Sequence, residues 1–164
     1  MSTSFARFTM TAILLAASAH AQIVMDRFGF LVTGQTGTAG EFCWTFDCTP
    51  RQLAVVSGET LTMRINGPHQ TLFAIGASLG ASNCIPIPGF TNALILDVPI
   101  IVLSFGLISQ QSPILACWGG TETVQFQVPP GLPTGVSFAT QAIADLQGPT
   151  PGLSFSVAVV SNVQ

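Results

Sequence analysis

Apolar and polar positions alternate along much of this chain with a period of two, the spacing that puts every second side chain on one face of a β-strand. In Leu61-Thr62-Met63-Arg64-Ile65 the pattern turns Leu61, Met63 and Ile65 inward and Arg64 outward. Thr123–Val128 repeats it with Val124, Phe126 and Val128, Val136–Ala142 with Val136, Phe138 and Thr140, and Leu153–Val159 with Leu153, Phe155, Val157 and Val159. Further strands are expected at Ile23–Asp26, Phe28–Thr33, Leu53–Ser57 and Thr71–Ala77, with residues 34–40 as a flexible loop. After Gln22 no apolar pattern keeps helical spacing for several turns without meeting Gly or Pro. The expectation is therefore an all-β chain: a two-sheet antiparallel β-sandwich of jelly-roll or Ig-like form.

Ala93 to Ile108 is the longest apolar run beyond the N-terminal segment, and it carries Asp97 and Pro99 near its middle. A membrane span needs about 18 or more uncharged apolar residues, so this run reads instead as two short strands, Ala93–Leu96 and Ile100–Phe105, meeting at a bend at Asp97. The second is apolar on both faces, which is the expectation for a strand covered from both sides. Val124, Phe126, Phe138, Phe155 and Val157 are expected to share one core with Leu96, Ile101 and Leu103.

The first residues change the picture of compartment. A short segment ending at Arg7, an apolar stretch from Phe8 to Ala17 and Ala19-His20-Ala21 have the layout of a secretory signal peptide. Residues 1–21 are read as that leader and residues 22–164 as one β-sandwich domain, secreted or at the cell surface, with a periplasmic location as the variant. Without Arg7, three arginines face seven acids and there is no lysine, so a basic footprint for nucleic acid or anionic lipid is missing.

In an oxidising compartment the four cysteines, Cys43, Cys48, Cys84 and Cys117, imply two disulfides with three possible connectivities. The preferred pairing is Cys43–Cys48, stapling a turn, with Cys84–Cys117, tying the loops on either side of the apolar run. Zinc held by these cysteines and His69 is the weaker alternative, because the C-x4-C spacing is not that of common structural zinc sites. No cofactor motif is found.

Motifs for catalysis thin out on inspection. Gly76-Ala77-Ser78-Leu79-Gly80 fits G-x-S-x-G, yet a nucleophile elbow needs a helix after the serine and a histidine later in the chain. His69 precedes it, and the residues after Ser78 have no helical period. A triad of His69, Asp97 and Ser137 or Ser154 has no spacing to support it. The carboxylates Asp26, Glu41, Asp47, Glu59, Asp97, Glu122 and Asp145 form no glycosidase or calcium motif.

Trp44 and Trp118 each follow a cysteine. Packing of such a tryptophan on a disulfide belongs to sandwich cores, while exposure of either indole would make a stacking platform for a sugar. The stretch Leu96-Asp97-Val98-Pro99, followed after a loop by VQFQVPPGLPTGVSFATQA, resembles exported β-sandwich domains at the ends of planctomycete secreted proteins, through Val128, Pro129, Leu132, Gly135, Phe138, Gln141 and Ala142. That resemblance implies a secreted or cell-surface domain of unknown role with no catalytic residues to carry over. The expected function is a non-catalytic structural, adhesive or accessory domain whose partner is a glycan or another surface protein. The alternative is a carbohydrate-binding module using Trp44 or Trp118.

Overall fold

A computed structural model describes residues 28–43, 47–111, 119–146 and 152–164. The proposed leader, Trp44, Cys117 and Trp118 lie outside the described residues, as does the strand expected at Ile23–Asp26.

The described residues form thirteen strands and no helix: β1 Gly29–Gly34, β2 Gly37–Glu41, β3 Arg51–Val55, β4 Thr60–Pro68, β5 Leu72–Ser78, β6 Ile85–Pro86, β7 Phe90–Thr91, β8 Ala93–Leu94, β9 Ile101–Leu107, β10 Gln110–Gln111, β11 Gly119–Gln127, β12 Ser137–Leu146 and β13 Gly152–Val163. They build a five-stranded sheet in the order β10-β11-β4-β1-β2 and a six-stranded sheet in the order β3-β13-β12-β5-β9, with β7 beside β13. A two-stranded ribbon, β6-β8, stands apart. Pairing is antiparallel except along one edge of β13, where β3 and β7 both run parallel to it.

Alternation does what the sequence asks where strands are regular. Leu61, Met63 and Ile65 on β4 are fully buried, as are Phe30 and Val32 on β1, and they meet Phe73, Ile75, Ala142, Ala144 and Val159 from the second sheet. Burying each large side chain contributes about 1.5–3 kcal/mol. Val124, Phe126, Phe138 and Leu103 pack at the margin of this core.

Three expectations are corrected. Residues 34–40 are largely strand, because Gly34 and Gly37 close a tight hairpin whose strands pair from Phe30↔Glu41 to Gly34↔Gly37. There are two apolar clusters rather than one core: Leu96 and Ile95 sit on Ala139 and Ala158, on the outer side of the six-stranded sheet. Ile101 is 65% exposed, for β9 is an edge strand paired only to β5 among the described residues and is not covered on both faces.

A break in β13 explains why its alternation cannot be read straight through. Gln141 pairs with Ala158 but Ile143 with Phe155, so β13 carries one extra residue there. Such a bulge shifts the strand's phase. Val159 therefore faces the core, whereas Phe155 faces outward and stacks on Phe90, with ring centroids 5.3 Å apart. Ser156 repairs the interrupted ladder, its hydroxyl accepting from the Ala142 amide at 3.0 Å and donating to the Val157 carbonyl at 2.7 Å.

Gln141, next to this break, holds the covering segment in place. Its Nε2 donates to the carbonyls of Ala93 and Ser156 at 3.0 and 2.8 Å, and its Oε1 accepts from the Ile95 amide at 3.0 Å. All three groups would otherwise be buried polar atoms in need of partners. Asn92 adds a bond from its Nδ2 to the Phe155 carbonyl at 2.7 Å.

Candidate functional site

The G-x-S-x-G stretch has a structural use. Gly76 lies under Ile100 and Leu96, and a Cβ there would stand 2.9 Å from Ile100 Cγ2. Gly80 admits the Asp97 carboxylate, which any side chain at that position would strike. Ser78 is buried and its hydroxyl donates to the Gly80 carbonyl. The two glycines are thus the seats on which residues 95–100 rest.

Asp97 is engaged in the same arrangement. Its Oδ1 accepts from the Ser82 amide, the Ser82 hydroxyl and Asn83 Nδ2, at 3.2, 2.9 and 2.6 Å. Histidine is elsewhere: His69, in the turn after β4, donates from Nε2 to the backbone carbonyl of Ser109 at 3.0 Å. Ser154 is fully buried and its hydroxyl faces Asn92 and its own strand. The structure does not bring His69, Asp97 and Ser154 together as a triad.

What it does bring together is His69, Ser109 and Glu122. Both the amide and the hydroxyl of Ser109 donate to Glu122 Oε2. The Ser109 hydroxyl is the main cause that holds the Glu122 carboxyl below the usual carboxylate range, against a smaller opposing push from burial. A nucleophilic serine needs its hydroxyl on the base. Here it is turned to the carboxylate, and the histidine holds the carbonyl of the same residue.

Beside this cluster, between the edge strand β9 and strand β11, an open groove of about 400 Å³ is lined by Phe73, Phe105, Leu107, Val124 and Glu122 together with Ser104, Gly106 and Ser109. Its walls are apolar apart from Glu122 and the two serines. The sequence signal for this site was weak, since Ser109 and Glu122 are ordinary loop and strand residues until β10 and β11 fold back on each other.

The outer face of the five-stranded sheet has a different chemistry. Register aligns Thr38, Thr33, Thr62 and Gln125 in one row across β2, β1, β4 and β11, with Gly40, Leu31, Arg64 and Thr123 in the next. Arg64 donates from Nε to Asn66 at 3.0 Å, and its guanidinium lies 5.0 Å from the centre of the Phe42 ring. At the β2 end, Arg51 pairs with Glu41 at 2.7 Å and Asp47 at 3.1 Å.

The disulfide expectation is corrected here. Cys48 is bonded to Cys84, with Cα atoms 5.6 Å apart, so neither Cys43–Cys48 nor Cys84–Cys117 forms. Cys43 is itself disulfide-bonded. Proximity in sequence was misleading because the Cys48 loop runs into β3, at the edge where the β5–β6 loop with Cys84 also arrives. Among the described residues no three His, Cys, Asp or Glu side chains converge as metal ligands, and no helix is long and apolar enough to cross a membrane.

No family model matches the chain, and no curated protein matches it either. Among solved structures it is similar to a chitin binding domain from Burkholderia pseudomallei, at 19% identity over 69% of this chain and 57% of that one, with a TM-score of 0.40. The chain thus spans little more than half of that structure's length, and a likeness this slight carries no statement about ligand or activity.

Proposed function

We propose that the chain is an exported, non-catalytic β-sandwich domain with a structural, adhesive or accessory role at the cell surface or in the extracellular space. The observation that carries this reading is the wiring of His69, Ser109 and Glu122, in which the hydroxyl is bound to the acid and the imidazole to a backbone carbonyl. Asp97 is occupied by Ser82 and Asn83. Export is supported by the leader-like residues 1–21 and by the Cys48–Cys84 bond, which belongs to oxidising compartments. The resemblance to planctomycete exported domains points the same way. The test is twofold. The expressed chain should be recovered outside the cytoplasm beginning at Gln22, and it should leave ester, peptide and glycan substrates unchanged. Turnover that disappears in His69→Ala would end the non-catalytic reading.

A second reading, a carbohydrate-binding module, is favoured by the outer face of the five-stranded sheet. Rows of Thr38, Thr33, Thr62, Gln125 and Thr123 with Arg64 offer hydrogen-bonding groups of little net charge across a sheet surface. Trp44 lies two residues beyond Phe42 in sequence and is the natural stacking ring to test, with Trp118 as the second. Retention on insoluble polysaccharides that is lost in Trp44→Ala or Trp118→Ala supports it. Absence of retention on a broad set disposes of it.

A further inference from the structure

The two arginines of the described residues are placed in opposite ways. Arg51, at the β2 end, is neutralised by Glu41 and Asp47. Arg64 stands on β4, the middle strand of the five-stranded sheet, and among the described residues no carboxylate reaches it. The acids are engaged elsewhere: Glu59 is buried against the amides of Gln35 and Val56, Asp97 lies with Ser82 and Asn83, and Glu122 with Ser109. The outward positions around Arg64 on β1, β4 and β11 are Leu31, Thr33, Thr62, Thr121, Thr123 and Gln125, all neutral. A chain of net charge −3 thus carries, at the centre of its polar face, one positive charge that it does not neutralise itself.

The guanidinium is also held in place. Its Nε donates to Asn66 Oδ1 at 3.0 Å and to Thr121 Oγ1 at 3.3 Å, and Asn66 is only 1% exposed. The ring of Phe42 lies 5.0 Å from Cζ, a stacking that suits arginine. Anchored at one nitrogen and against one ring, the side chain has less freedom left to lose on binding. Among the described residues Nη1 and Nη2 have no hydrogen-bond partner. Two adjacent N–H donors of this kind match the two oxygens of a carboxylate.

We propose that the outer face of the five-stranded sheet binds an acidic polysaccharide, with Arg64 Nη1 and Nη2 donating to the carboxylate of one uronic acid unit. The threonines and Gln125 on either side then meet the hydroxyls of neighbouring units. This rests on the carbohydrate-binding reading above and adds the class of sugar. A hydrogen bond to an ionised acceptor is about twice as strong as one to a neutral hydroxyl, so the unneutralised cation favours a charged sugar over a neutral one. A single cation on an acidic chain equally disfavours densely charged polymers, which would find one partner and meet net repulsion.

The test is affinity electrophoresis of the exported chain in polygalacturonate and in its methyl ester, which share a backbone and differ in charge, with dextran sulfate and soluble neutral glucans alongside and circular dichroism on every variant. The wild type should bind polygalacturonate about 10-fold or more tightly than the ester. Arg64→Gln should remove that preference, and Arg64→Lys should restore only part of it, since a point charge lacks the fork. Should Arg64→Gln misfold, exposed Thr123→Glu sets a carboxylate directly across from Arg64 in the register and should abolish the preference without touching the arginine. Equal binding to polygalacturonate and its ester, or a preference that survives in folded Arg64→Gln or Thr123→Glu, overturns the proposal and leaves the carbohydrate-binding reading standing. Tighter binding to dextran sulfate than to polygalacturonate also overturns it, because charge density rather than the fork would then decide. Binding to none of the polysaccharides removes both the proposal and the reading it rests on.

Discussion

The two outward faces of this sandwich solve the same problem differently. Over the five-stranded sheet, outward positions are polar residues such as Thr33, Thr62, Thr123 and Gln125, which water satisfies with no further structure. Over the six-stranded sheet, outward positions are apolar, among them Ala139, Ala158, Val160 and Phe155, and a segment of chain has been laid across them. The first face depends on composition and the second on a few bonds that hold the cover down. Stability should therefore respond unequally to changes on the two sides.

The largest effect is expected from opening Cys48–Cys84. For bridged residues 36 apart, loss of the bond in a Cys48→Ser, Cys84→Ser pair should cost roughly 3–4 kcal/mol by the chain-entropy relation, read as a lower midpoint in urea. Gln141→Leu should follow, at about 3 kcal/mol or more, because it leaves the Ile95 amide and the Ala93 and Ser156 carbonyls buried without partners. It should also raise hydrogen exchange in residues 93–96 more than in β4, which separates loss of the cover from general loosening. On the polar face, Gln125→Ala should change stability by no more than about 0.5 kcal/mol. If it destabilises as much as Gln141→Leu, the contrast between the faces is wrong.

The smallest effect concerns pH. The folded-state pKa of Glu122 is lowered, chiefly by the Ser109 hydroxyl. Its stabilising contribution is thus present above the ordinary carboxylate value of about 4.3 and is lost as pH falls through the lower folded value. Glu122→Gln should reduce stability slightly near neutrality and flatten the acid side of the stability profile. An unchanged acid limb would show that the Ser109 contact does not hold in solution.

How far the sequence could be read depended on whether local pattern or distant pairing decided the outcome. Met63 and Arg64 were legible because β4 is regular and central, so alternation alone assigns their faces. Phe155 was not, since the extra residue in β13 reverses the phase and only the pairing with β12 reveals it. The apolar residues of β9 read equally well as a central strand or a bare edge, because the difference lies in which strands sit alongside. For Cys48, the partner was decided by where the β5–β6 loop arrives. Gly76 and Gly80 were rightly set aside as a nucleophile elbow, but their use as seats for residues 95–100 is visible only in the packing.

The position of β13 has a consequence for how the molecule comes into being. Val159 pairs with Arg51 and Val163 with Val55, and on its other side β13 pairs with β12. The six-stranded sheet is therefore missing an interior strand until every other strand has already been made. Long-range pairings of this kind are slow to form, and until they do the two flanking parts of the sheet have no neighbour to dock on.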